Sequence, residues 1–267
     1  MKHLPFIAAI LLLLSFGATD AANGQPPYHF GPGKEAAFIG GGAAALVGGV
    51  LLKDGTALFS AEEIQRLDPG QVNAFDRGAI NNHSAAAQRA SDYFLNGSHL
   101  LPLLFLADRD MRRGIGSIAV LWGETLLING GLTMASKYAF RRPRPYVYDM
   151  GIDAREKQTT NARAAFFSGH TSVTAANTFF AAKVFSDYHP DSKWKPVVWA
   201  TAATIPAITG YLRVRAGRHY PSDVIAGYAA GALAGYFVPF LHKRPRGKND
   251  GIELYGSLNG ALLRVEF

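Results

Sequence analysis

Residues 224–241 form a run of 18 with no charge, and Gly227, Gly231 and Gly235 sit in it at four-residue spacing. A run this long and apolar commits the chain to helix, as a buried core helix or as a membrane crossing. Glycines four apart share one face of a helix, and small residues there let a second helix approach closely. Residues 197–212 are likewise uncharged over 16 positions. Helical runs are also read at 115–139, which holds Glu124 and Lys137, and at 169–185, which holds Lys183. An apolar stretch rich in Gly and Ala covers 36–52, and shorter helices are expected at 61–67, 85–95 and 100–107. The expected fold is all-α, a bundle of about six core helices. The triplet Gly40-Gly41-Gly42 lacks a following Lys-Ser or Lys-Thr, so it reads as a helix-packing surface and not a phosphate loop.

Whether such a bundle sits in a membrane depends on the rest of the chain. Mean hydropathy is only +0.04, near neutral for a protein with many spans. That tips the balance slightly towards a soluble or peripheral body and leaves bilayer insertion open. At the N-terminus, Lys2 and His3 precede an apolar run at 4–16, and small residues follow up to Thr19-Asp20-Ala21. This is the layout of a secretory signal peptide, read as cleaved because the run is shorter than the roughly 20 residues a span needs; a first membrane span that stays attached is the alternative. The expectation is export to the cell envelope, on the periplasmic side. There is no cysteine, so disulfides, a thiol nucleophile and a lipobox-type lipid anchor are excluded. The expected organisation is a signal segment at 1–21, a loose segment at 22–35, one helical domain at 36–247 and a tail at 248–267. In the tail, 252–258 and 261–267 flank Asn259-Gly260, a strong hairpin signal. A small β-hairpin packed on the helical body is expected there.

Three clusters carry the chemistry. Lys137 is followed after six residues by Arg144-Pro145; Ser168-Gly169-His170 precedes a helical run; and Arg213, His219 and Asp223 stand at fixed spacing. Ser168 can cap the helix behind it, whose first-turn amides and dipole make an anion site. Gly169 allows an anion close to the backbone. Asp223, four residues after His219, can hydrogen-bond one imidazole nitrogen and leave the other free to attack. A buried His-Asp pair that only holds a turn has the same spacing. Arg141, Arg142, Arg144, Arg163, Arg213, Arg215 and Arg218 surround these clusters, and arginine forks match phosphate oxygens. The net charge of +7 suits an anionic partner. Nucleic acid is not expected, because no aromatic platform or groove-reading helix stands out. Metal-ligand motifs such as His-Glu-x-x-His are absent, and no cofactor is expected.

In order and spacing the clusters resemble the type 2 phosphatidic acid phosphatase superfamily, which includes lipid phosphate phosphatases, bacterial non-specific acid phosphatases and vanadium haloperoxidases. Its first motif, lysine, six residues, arginine-proline, is matched in full by Lys137, Arg144 and Pro145. Its second, proline-serine-glycine-histidine, is matched by Ser168, Gly169 and His170, with Phe167 in place of proline. Its third, serine-arginine, five residues, histidine, three residues, aspartate, is matched by Arg213, His219 and Asp223, with Leu212 in place of serine. The resemblance implies an all-helical bundle and a metal-independent phosphatase working through a phosphohistidine. It makes His219 the nucleophile, oriented by Asp223, and His170 the general acid. Lys137, Arg144, Ser168, the Gly169 amide and Arg213 would bind the phosphate, and Arg215 and Arg218 would add charge nearby. The implied substrate is a phosphate monoester or pyrophosphate, lipid-linked in view of the apolar helices, at a membrane surface or in the bilayer. Soluble phosphomonoesters are the runner-up. A vanadate-dependent haloperoxidase and a non-catalytic envelope protein are the remaining alternatives.

Overall fold

The computed structural model describes residues 27–244 and, as backbone, 252–257 and 260–265; the expected signal segment lies outside them. The fold is mostly helical. Six long helices set its architecture: α1 (Pro32–Asp54), α2 (Ala85–Ser98), α3 (Ile115–Phe140), α4 (Gly169–Tyr188), α5 (Lys195–Arg215) and α6 (Pro221–His242). Residues 101–107, expected as α-helix, form a 3-10 helix instead. The run has no room for further turns, because Asp108 Oδ1 accepts the amides of Asp110 and Met111 and starts a new helix at once.

α4 is the centre of the bundle. It packs against α2, α3, α5 and α6, while α1 lies along α3. Twelve of its 20 residues are buried, many of them polar. Several of these polar groups pair with neighbouring helices. Asn177 accepts from Trp122 Nε1 at 2.9 Å and donates to Ser98 Oγ at 3.0 Å, and Thr178 donates to the Ala202 carbonyl at 2.9 Å. Phe180 and Val184 extend the apolar side of this core to Ile118, Leu121 and Val238.

The glycine stripe sets the distance between α4 and α6. A Cβ on Gly231 would lie 1.9 Å from the Ser172 carbonyl oxygen, and one on Gly227 would lie 2.5 Å from that of Ser168. The two backbones touch there, and only glycine fits. Of the triplet in α1, Gly42 packs on α3 against Leu127, whereas Gly40 and Gly41 face open space.

Four helical segments are long and apolar enough to cross a membrane: Pro32–Asp54, Ile115–Tyr148, Lys195–Arg215 and Pro221–His242. Their outer faces carry exposed Leu51, Leu132, Ile225, Leu233 and Phe240, and only 11% of the α1 window is buried by the protein itself. These are the features of a membrane protein. The near-neutral mean hydropathy arises because these helices are averaged with the polar stretch between α1 and α2.

Two expectations for the termini change. Residues 27–31 are not loose. Tyr28 is buried and bridges Lys243, the His29 amide donates to the His242 carbonyl at 2.7 Å, and the Arg244 amide donates to the Pro27 carbonyl at 2.9 Å. The hairpin is not supported as a packed part of the fold. Ile252–Ser257 and Gly260–Val265 run antiparallel, with Ser257 opposite Gly260, and form a two-stranded ladder with each other only.

Candidate active site

Successive antiparallel helices bring the C-terminal ends of α3 and α5 to the N-terminal ends of α4 and α6. α3 ends at Arg141 in the left-handed region, with φ of 47°. One turn earlier Lys137 points its Nζ at the Ala164 carbonyl, 2.9 Å away. Arg144 is buried, and Asn161 holds it twice: Nε donates to the Asn161 carbonyl and Nη2 to its Oδ1, both at 2.8 Å. Its Nη1 reaches the Arg218 carbonyl at 3.3 Å. Both arms are therefore oriented before any ligand arrives.

Ser168 caps α4 by accepting the Thr171 amide. The Ser168 amide donates to the Asp223 carbonyl at 3.0 Å, which fastens the start of α4 to the start of α6. Gly169 lies beside Lys137: a Cβ there would meet Lys137 Cε at 3.6 Å. At the end of α5, Arg213 is buried and donates from Nη1 to Ser91 Oγ at 3.3 Å, and its Nε has no hydrogen-bond partner among the described residues. The chain then turns through Gly217 at φ +65°, where a Cβ would fall 2.2 Å from the Asn82 carbonyl oxygen. Only glycine makes this turn, and it delivers His219 to the pocket.

His219 is 1% exposed. Its Nδ1 lies 2.7 Å from the Ala165 carbonyl oxygen, which can only accept, so Nδ1 carries the proton and Nε2 keeps its lone pair. Asp223 was expected to orient this ring. Its Oδ2 stands 3.7 Å from Nδ1, beyond hydrogen-bond reach, and instead accepts the Tyr220 amide at 2.9 Å, while Oδ1 takes Arg142 Nη1 at 2.6 Å. The orienting acceptor is therefore a backbone carbonyl, with the carboxylate behind it. Burial first, then the charges of Arg144, Lys137, Arg213 and His170, hold His219 well below the usual histidine value. Burial and these cations all favour the neutral imidazole.

His170 sits in the first turn of α4, and its Nε2 is 2.8 Å from Asp92 Oδ1 on α2. Burial and then the charge of Arg213 push His170 down to about 4, with Asp92 working against them. The same Asp92 oxygen lies 3.7 Å from Arg213 Nη1.

All eight residues singled out in the sequence (Lys137, Arg144, Ser168, Gly169, His170, Arg213, His219 and Asp223) thus gather at one end of the bundle. Their cations and amides suit an anion and not a metal. Several other arginines are spent elsewhere. Arg163 pairs with Glu63 at 2.8 Å and stacks on Phe59; Arg218 pairs with Glu156 at 2.6 Å, so its charge is largely answered. Arg142 is held by Asp76 and Asp223. Three contributors carried no sequence signal, Asp92, Asn161 and Asp76, each a lone polar residue outside any motif. Asp76 is 1% exposed and accepts from Arg142 Nη2, from the Ser222 amide and from Ser222 Oγ. Burial raises its pKa, but these bonds outweigh it and bring the carboxyl to about 2.

Residues 118–246 match the family model of the PAP2 superfamily. The chain is 32% identical over 167 residues to the lipid A 1-phosphatase of Porphyromonas gingivalis, an alignment covering 58% of this chain and 33% of that protein. The chain thus spans about a third of the length of the curated relative it matches. Among solved structures, it aligns with the crystal structure of the first transmembrane PAP2 type phosphatidylglycerolphosphate phosphatase from Bacillus subtilis. That alignment covers 78% of this chain and 98% of the other, at a TM-score of 0.47 and 20% identity.

Proposed function

The chain belongs to the PAP2 superfamily, and from that premise and the pocket geometry we propose that it is a phosphatase of lipid-linked phosphate monoesters or pyrophosphates. The reaction needs no metal in the pocket and proceeds through a phosphohistidine on His219. The observation that carries this reading is a buried His219 whose Nδ1–H is fixed on the Ala165 carbonyl, with Nε2 left free and the charges of Arg144, Lys137 and Arg213 close enough to act on the ring.

Lys137, Arg144, Arg213, Ser168 and the Gly169 amide hold the phosphoryl oxygens, and their charge answers the charge of the transition state. Nε2 of His219 forms a bond to phosphorus as the bond to the leaving oxygen breaks. His170, protonated, gives its proton to that oxygen. The bound phosphate supplies the negative charge that raises His170 from its low value in the free pocket. Water then attacks the phosphohistidine, His170 takes the water's proton, and phosphate leaves with His219 restored.

A lipid substrate is favoured over a soluble one by an apolar groove between α2 and α5. There it is lined by Tyr93, next to Asp92 in the chain, and by Leu101 and Ile205; these last two also line a second apolar cavity, walled by residues 101–111, α4 and α5, that reaches Phe185 and Val197. With the span-capable helices, this gives an acyl or isoprenyl chain an apolar path beside the pocket. The name of the Porphyromonas relative points to the same substrate class. We place the phosphatase domain at 27–247, its expected start at 36 moved back to include the packed residues 27–31 and the start of α1, and the reaction in the cell envelope, on the periplasmic side. The test is phosphate release by wild type and His219→Ala on a lipid phosphate in detergent micelles and on para-nitrophenyl phosphate. Wild-type release that is faster on the lipid and lost in the variant is expected. Release from para-nitrophenyl phosphate alone would move the assignment to soluble phosphomonoesters.

A further inference from the structure

At the other end of the bundle, Glu35 of α1, Glu124 of α3 and His242 of α6 converge in the interior. We propose that these three residues bind a divalent transition-metal ion of the zinc type, which fastens α1 to the bundle. The site is remote from the pocket: Asp223 and His242 lie near opposite ends of α6, about 28 Å apart at the rise of an α-helix.

Their ligand atoms all lie within 4.8 Å of one another. His242 Nε2 is 3.3 Å from Glu35 Oε1 and 3.5 Å from Glu124 Oε2. Charge-assisted hydrogen bonds between nitrogen and oxygen run about 2.7–2.9 Å, so these contacts are longer than such bonds. They match the edge of a tetrahedron around zinc, about 3.3 Å for bonds near 2.0 Å.

A second observation points to a ligand independently. Glu124 is 2% exposed and His242 is 0% exposed. Both Glu124 oxygens, Glu35 Oε2 and His242 Nε2 are buried with no hydrogen-bond partner among the described residues. Groups this deep are normally satisfied. The imidazole is oriented for ligation too: Nδ1 donates to the Val238 carbonyl at 2.7 Å, so Nε2 is the ring atom turned on the two carboxylates. Two carboxylates this close to one imidazole nitrogen call for positive charge, a proton on Nε2 or a metal ion among the three, and the 3.3 and 3.5 Å separations suit the metal. The neighbouring Lys34 does not supply that charge, because its Nζ donates to the Leu241 carbonyl at 2.8 Å. Phe30 and Phe38 flank the His242 ring with centroids 5.6 and 5.0 Å away and keep the surroundings apolar. One imidazole and two carboxylates make a mixed nitrogen and oxygen set that suits zinc better than magnesium or calcium.

The test uses the untagged full-length chain in detergent, stripped with a chelator and titrated with Zn²⁺. Bound metal is counted by mass spectrometry and the thermal midpoint is followed. Wild type is expected to take up one equivalent and to melt at higher temperature when loaded. Glu124→Gln and Glu35→Gln should weaken uptake by at least about tenfold, while phosphate release well below the melting temperature stays at the wild-type level. Glu35 is only partly buried, so its variant keeps the test open if Glu124→Gln fails to fold. No stoichiometric uptake by stripped wild type, or equal uptake by both variants, would overturn the site.

Discussion

His170 and Asp92 form the contact in the pocket most open to a quantitative test. The Asp92 carboxylate favours the imidazolium, so Asp92→Asn should lower the pKa of His170 further. The protonated acid is lost as pH rises, and the alkaline limb of kcat on alkyl phosphates should therefore move to lower pH by about one unit. Aryl phosphates with good leaving groups should hardly notice the change; an unmoved limb on alkyl phosphates would remove Asp92 from the mechanism. His170→Ala should likewise cost alkyl substrates about 10²–10⁴-fold and aryl ones far less, as a leaving-group series would read. The gathering of the two histidines, Lys137, Arg144 and Arg213 at one end of the bundle was legible in the sequence because each stands at fixed spacing in a motif. Asp92 was not, being one acid on a helix 78 residues from its partner. Nor was the Ala165 carbonyl that orients His219, since a backbone acceptor leaves no mark in a sequence. The reading of Asp223 as that partner followed the i, i+4 spacing, whereas the helix start draws its carboxylate to Tyr220 and Arg142.

At the scale of elements, the fold depends on how the starts of α4 and α6 are joined. The Gly227–Gly231–Gly235 spacing predicted close packing, and the structure puts the carbonyls of α4 against that stripe. Gly231→Leu should separate the two helices at a cost of about 3 kcal/mol or more. It would appear as a lower thermal midpoint in detergent, with activity lost alongside because Ser168 and Asp223 move apart. Asp76 supports the same region from a different segment. Its folded pKa of about 2 is below the ordinary aspartate value, so its contribution is present above roughly pH 4 and is lost as pH falls towards 2. Asp76→Asn should cost about 3 kcal/mol at neutral pH by leaving Arg142 partly unpaired, and should flatten the acid dependence of the thermal midpoint. Helix positions followed from apolar runs. The 3-10 segment at 101–107 did not, because periodicity over seven residues cannot distinguish the two kinds of turn. The tail hairpin was read from a turn dipeptide, which marks local pairing and says nothing of where the pair docks.

For the whole molecule, the account makes a membrane-bound enzyme whose cationic pocket receives the phosphate while a lateral apolar groove takes the chain. Whole-chain hydropathy concealed this, since one average mixes the four apolar helices with polar connecting segments. The central claim is covalent chemistry at His219. It is tested most directly by mixing the enzyme with a lipid carrying a radiolabelled phosphate, quenching within a turnover and isolating the protein at alkaline pH. The account predicts an acid-labile, base-stable label on wild type that maps to the peptide containing His219 and is absent from His219→Ala. Phosphate release at the wild-type rate by His219→Ala, or a label on another residue, would contradict it.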